Sequence, residues 1–182
     1  MKGHLLLSLF FILLVSACNN DRPEAYTIST EDGLVQVALR KRNDYNELIS
    51  IYNDSVASTW PLRYPVFAFQ HGDINNDGTE DLAVGVIKRT RYDTLVRKRL
   101  FLFQLRNKSI IPLWLGSSLS HPLVEFGIIK NEQGETLIRA IEKEPGGQYL
   151  IAEYEWYGFG LSLKKYIRRK ISLEEAKKFH LH

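Results

Sequence analysis

Apolar and polar residues alternate with a period of two along most of the chain, in short runs separated by turn-forming residues. Val35, Val37 and Leu39 alternate with Gln36, Ala38 and Arg40, the pattern of a strand with one buried face. Similar runs follow at residues 47–53 and 56–63, then at 66–69 and 82–88, and again at 99–105 and 110–115. Residues 123–129, 136–141, 149–157 and 161–167 complete the set. The 99–105 run is apolar on both faces and predicts an inner strand. Trp60-Pro61 and Pro112-Leu113-Trp114 predict edge positions, because proline cannot donate to a ladder. In the 82–87 run, Leu82, Val84 and Val86 share one side and the small residues Ala83 and Gly85 the other, which predicts close packing on the small side. The one helical signal is a capping box, Ser172 to Glu175, ahead of a short C-terminal helix. The fold class is therefore mainly β, an antiparallel meander with a short C-terminal helix.

Two spacings suggest repetition. Trp60 and Trp114 are 54 residues apart, and Phe69 and Phe126 are 57 apart. Overlaying 67–86 on 124–141 matches Gly78 with Gly134 and Asn75 with Asn131, while Asp73 and Asp77 fall on Ile129 and Gln133. Residues 34–63 form a third, more divergent unit. A period in this range suits four-stranded antiparallel blades, about three of them. Three blades are too few for an ordinary closed propeller, so a β-sandwich or curved sheet is the alternative.

The stretch with most chemistry lies between two of these runs: Asp73-Ile74-Asn75-Asn76-Asp77-Gly78-Thr79-Glu80-Asp81. Oxygen-bearing side chains stand at relative positions 1, 3, 5 and 9, and position 7 offers the Thr79 carbonyl. Gly78 permits the left-handed turn that draws them together. An all-oxygen set of this kind suits a hard cation, and calcium tolerates its irregular geometry better than magnesium. The EF-hand and dockerin patterns do not apply, because position 12 is Val84 and both flanks are strands. Residues 72–85 resemble instead the FG-GAP/VCBS-type repeat, whose calcium loop joins two strands of a β-propeller blade. That resemblance implies one structural Ca²⁺ held by Asp73, Asn75, Asp77 and Asp81 with the Thr79 carbonyl.

The first residues carry a different message. Lys2 precedes an apolar run, 5–15, that is too short to span a bilayer as a helix of about 20 residues. Val15-Ser16-Ala17-Cys18 resembles the bacterial lipoprotein signal, in which cleavage falls before the cysteine and the cysteine carries fatty acyl chains such as palmitate. The expected organisation is a signal peptide at 1–17, lipidated Cys18 and a polar tether at 18–31, and a single β domain at 32–182. The resemblance implies membrane attachment through Cys18 in the bacterial cell envelope, and Asn19 after the cysteine favours the outer over the inner membrane. Cys18 is the single cysteine, so neither an internal disulfide nor a thiol nucleophile is available.

The chain's formal net charge of +3 drops by one with Lys2 and gives no argument for nucleic acid. His71, His121, Ser117, Ser118 and Ser120 show no metal or nucleophile spacing and are expected at the surface. The basic clusters at 88–91, 97–99 and 164–170 are expected to be solvated strand edges. The function expected is a lipid-anchored, calcium-stabilised β domain that binds a protein or glycan partner without catalysis. Two other readings stay open: a small glycan-active enzyme using Glu153 or Glu155, and an accessory subunit that completes a β assembly.

Overall fold

The computed structural model describes residues 25–179 except Tyr92 and Ser117. The signal segment, Cys18 and Asn19 therefore lie outside the described residues. Twelve strands follow one another: β1 (Ala25–Thr30), β2 (Gly33–Lys41), β3 (Asn46–Tyr52), β4 (Ser55–Leu62), β5 (Val66–Gly72), β6 (Asp81–Lys88), β7 (Arg97–Arg106), β8 (Ser109–Leu115), β9 (Leu123–Lys130), β10 (Thr136–Lys143), β11 (Tyr149–Tyr157) and β12 (Gly160–Ile171). A short helix, α1 (Leu173–Phe179), closes the chain. Residues 25–30, expected within the tether, instead form a strand paired along its length with β2. Tyr26 explains the difference: its hydroxyl donates to the Phe69 carbonyl at 2.9 Å and its ring stacks near Phe69 and His71.

Strand pairing divides the domain into three four-stranded meanders. β1–β4 form a sheet of their own. β5–β8 and β9–β12 belong to one larger sheet, joined among the described residues by the single ladder pair of Lys98 on β7 with Leu123 on β9. Farther along the same edge of β7, residues 101–106 pair with β8. β8 and β9 thus diverge from one edge of one strand. Trp60 and Trp114 fall on the fourth strands of the first and second units, and Phe69 and Phe126 on the first strands of the second and third. The spacing seen in the sequence is strand-for-strand equivalence.

The three units stack face to face, and the period-two pattern explains why. On β6 and β7, Leu82, Val84, Val86, Phe101, Phe103 and Leu105 pack against Ile28, Val35, Val37, Leu48 and Leu62 of the first unit. The alternate residues Ala83, Leu100 and Leu102 pack against Phe126, Ile138, Ala140, Leu150 and Ala152 of the third. β7 is thus buried on both faces. The outer face of the third unit is partly covered by α1 through Ile141, Ile151 and Ala176. The capping box forms as expected: the Glu175 amide donates to Ser172 Oγ at 3.2 Å, and the Ser172 amide to Glu175 Oε2 at 2.9 Å.

The small side of β6 is filled by an aromatic ring. A Cβ on Gly85 would stand 2.6 Å from the tip of Phe67. That ring is held by an edge contact to Phe126, with centroids 6.2 Å apart, and by the Lys98 ammonium 4.5 Å above it. Gly85→Ala is therefore expected to destabilise the domain by about 1–3 kcal/mol, an overpacking cost. In urea denaturation, Phe67→Leu in the same chain should recover part of that loss, because it removes the ring that the new methyl meets.

Candidate functional site

The acidic loop joins β5 to β6, between the first two strands of the middle unit. Its turns are made by its own side chains. Asp73 Oδ1 and Oδ2 accept from the amides of Asp77 and Gly78, both at 2.9 Å. Asn75 Oδ1 accepts from the Asp77 amide at 3.0 Å, and Asp77 Oδ1 from the Thr79 amide at 2.9 Å. The Asn75 side-chain amide donates to Asp77 Oδ2 at 2.8 Å. Gly78 has φ of 89°, the left-handed turn expected of it. Each of these acceptor oxygens has further lone-pair capacity, so the turns orient the carboxylates without exhausting them.

Asp81 lies at the base of the loop and is 1% exposed. Its Oδ2 accepts from the amides of Ile74 and Asn75 at 3.1 and 3.2 Å. Burial pushes its carboxyl up to about 7, and the negative charges of Asp77 and Asp73 add to that push against the pull of the Asn75 and Ile74 amides. The five predicted residues are thus gathered into one turn. Among the described residues, however, no three His, Cys, Asp or Glu side chains form a ready-made metal cluster.

Above the loop is a cleft of about 390 Å³, lined on one side by Asp77, Thr79 and Asp81. The other walls are Glu31 and Asp32, from the β1–β2 turn, and the end of β7 with its turn, including Arg106. Glu31 and Asp32 were not legible as site residues, since only the stacking of the first unit on the second brings them here. Asn76 ties the loop to the third unit: its Oδ1 accepts from the Thr136 amide at 2.9 Å and its Nδ2 donates to the Thr136 carbonyl at 3.4 Å.

The equivalent turn of the third unit keeps the scaffold alone. Asn131 Oδ1 accepts from the amides of Gln133 and Glu135 at 3.0 and 2.8 Å, and Gly134 has φ of 83°. The loop between β9 and β10 is shorter, and Gln133 stands where the middle unit has Asp77.

Glu153 and Glu155 enter cross-strand ion pairs. Glu153 is 3% exposed, not on a solvent face, with Arg139 Nη2 at 2.8 Å and Lys165 Nζ at 3.4 Å. Lys164 Nζ lies 2.8 Å from Glu155. His71 pairs with Glu80 at 3.1 Å, a partner nine residues away that spacing rules overlook.

Sequence reading also missed a buried network around Glu142. This fully buried carboxylate accepts from the Tyr154 hydroxyl, the Ser120 hydroxyl and the His121 amide. Burial raises the Glu142 carboxyl above its ordinary 4.5, against the pull of those donors. The sign follows: the native state holds a proton that the unfolded chain has already released. Glu142 therefore contributes stability below pH 4.5 that is lost as the pH rises through the raised native value. Denaturation midpoints compared across this range should show a smaller decline for Glu142→Gln than for the wild-type chain.

The chain matches no protein-family model, and no curated protein sequence matches it. The fold and the loop define a class of protein: a stack of three antiparallel four-stranded meanders with an acidic loop at one inter-strand turn. Among the described residues no helix is long and apolar enough to cross a membrane.

Proposed function

We propose that this is a lipid-anchored bacterial envelope protein whose β domain holds one structural calcium ion in the 73–81 loop. The observation that carries the ion is the gathering of Asp73, Asn75, Asp77 and Asp81 into one turn, with the Asp81 carboxylate buried at its base. The donor set is oxygen only, which fits a hard cation. Asp73, Asn75, Asp77 and Asp81 would hold the ion with the Thr79 carbonyl, and the ion would offset their mutual repulsion and stiffen the β5–β6 hairpin. The FG-GAP/VCBS-like pattern of residues 72–85 supports the same reading.

Anchoring rests on the lipobox-like segment and Cys18. Each buried CH₂ of an acyl chain contributes about 0.8 kcal/mol, so several chains together hold firmly. With the outer membrane favoured by Asn19, the domain serves as a non-catalytic binding module for a protein or glycan. The ion pairs of Glu153 and Glu155 weigh against acid–base catalysis by these two carboxylates.

Calorimetric titration of the mature chain is expected to give one calcium site, no comparable magnesium site, and no site at all in Asp77→Ala. At a hundredfold excess over Kd, calcium should stabilise the protein by about 2.7 kcal/mol. A melting curve indifferent to both calcium and chelator would overturn the ion.

A further inference from the structure

Where β8 and β9 diverge from β7, the sheet leaves a crevice of about 240 Å³. One wall is the start of β7, with Arg97, Lys98 and Arg99; the other is the 118–122 segment, including Ser118 and His121. Three cations thus line the cavity, and two of them, Arg97 and Arg99, share one carboxylate, Asp93. Arg99 Nη2 donates to Asp93 Oδ2 at 2.6 Å, and Arg97 Nη1 lies 3.6 Å from the same oxygen. Lys98 donates to the Val124 carbonyl at 2.8 Å and stands over the Phe67 ring, with no carboxylate partner among the described residues. Behind His121, Glu142 lies 3.7 Å from the ring and is already engaged by three donors.

Arg99 is the telling residue. It is 5% exposed, and its Nε–H is buried with no acceptor among the described residues. Its Nη1 donates to Ser118 Oγ at 3.3 Å, which leaves the Ser118 proton to be donated elsewhere. Arg97 has guanidinium donors beyond the one facing Asp93. The donor-bearing side chains of Arg97, Arg99 and Ser118 therefore line one small space from two sides, with more N–H and O–H groups than the two oxygens of a carboxylate would engage. Guanidinium forks match phosphate oxygens well.

We propose that this crevice is a binding subsite for a phosphate group, held by Arg97, Arg99 and Ser118 between the start of β7 and the 118–122 segment. The site is separate from the calcium loop and does not depend on it. Phosphate of this kind is carried both by free phosphate and, as a diester, by the headgroup of an anionic lipid, which a membrane-anchored domain meets constantly.

The two sources are separated by titrating the full chain, in non-ionic detergent, with inorganic phosphate and with glycerophosphoglycerol, the soluble headgroup of phosphatidylglycerol. One-to-one binding of either ligand is expected, weakened at least tenfold by Arg97→Gln with its melting temperature unchanged, and about threefold by Ser118→Ala. Tighter binding of the diester assigns the site to lipid headgroups, and tighter binding of phosphate to the free anion. Binding of neither ligand, binding unaffected by Arg97→Gln, or acetate binding as tight as phosphate would each overturn the proposal.

Discussion

Replacing Asp81 by alanine lowers the melting temperature of the domain in calcium and in chelator alike, and abolishes the difference between the two conditions. Asp81 has two separable tasks. Its Oδ2 accepts the amides of Ile74 and Asn75, and Ile74 is itself 1% exposed. Without the carboxylate the buried Ile74 amide loses its acceptor, at about 1–3 kcal/mol when left unmet, while the half-buried Asn75 amide loses less. The second task is to ligate the proposed ion, worth about 2.7 kcal/mol at a hundredfold excess of calcium. Asp81→Asn separates the tasks. An amide oxygen still serves the two backbone donors, so stability in chelator is largely retained, while the calcium increment shrinks with the lost charge. Thermal melts of the two variants and the wild-type chain, each in calcium and in chelator, give the comparison. A wild-type increment that survives Asp81→Ala would remove Asp81 from the ligand set.

Phe103→Ala is expected to cost about 3–5 kcal/mol, the range for deleting a fully buried ring. Phe103 is fully buried on β7, facing the first unit. Its ring meets Trp60 edge-on at 5.5 Å and Phe101 at 6.3 Å, and it lies opposite Leu82 in the β6–β7 ladder. The cavity therefore opens at the junction between the first and second units, where β1–β4 share no strand ladder with the rest. Packing, with a few side-chain hydrogen bonds such as Tyr26 to Phe69 and Ser50 to Lys108, holds that sheet in place, so collapse around the void is resisted by two stiff sheets. For a domain of this size the loss corresponds to roughly 10 °C in melting temperature. Phe159→Ala, at a ring 90% exposed in the β11–β12 turn, should change stability by less than about 0.5 kcal/mol. Because Glu31 and Asp32 reach the acidic cleft only through this junction, Phe103→Ala should also alter calcium affinity.

Local pattern carried most of the strand assignment. The two-residue turns Asn53-Asp54 and Asn107-Lys108 have both residues at positive φ, as a type I′ hairpin turn requires, and asparagine marks each in the chain. Proline marked β4 and β8 as ladder ends, and the double-sided apolar run marked β7 as the inner strand. β1 escaped because its sequence is short and polar on one face, and it is recruited by Tyr26 contacts to β5, 43 residues away. The Glu142 network escaped for a similar reason: Ser120, His121, Glu142 and Tyr154 meet only after β10, β11 and the 118–122 segment have packed.

By itself, then, the sequence determined the acidic loop, its all-oxygen chemistry and the β periodicity on either side, since each depends on residues a few positions apart. Asx turns and a left-handed glycine are local devices and read locally. Tertiary structure alone decided that Asp81 is buried at the base of that loop and that Glu31 and Asp32 stand across a cleft from it. It alone opened a cationic crevice where β8 and β9 part from β7. Those features depend on how three sheets stack, and the faces that stack are joined by contacts far apart in the chain.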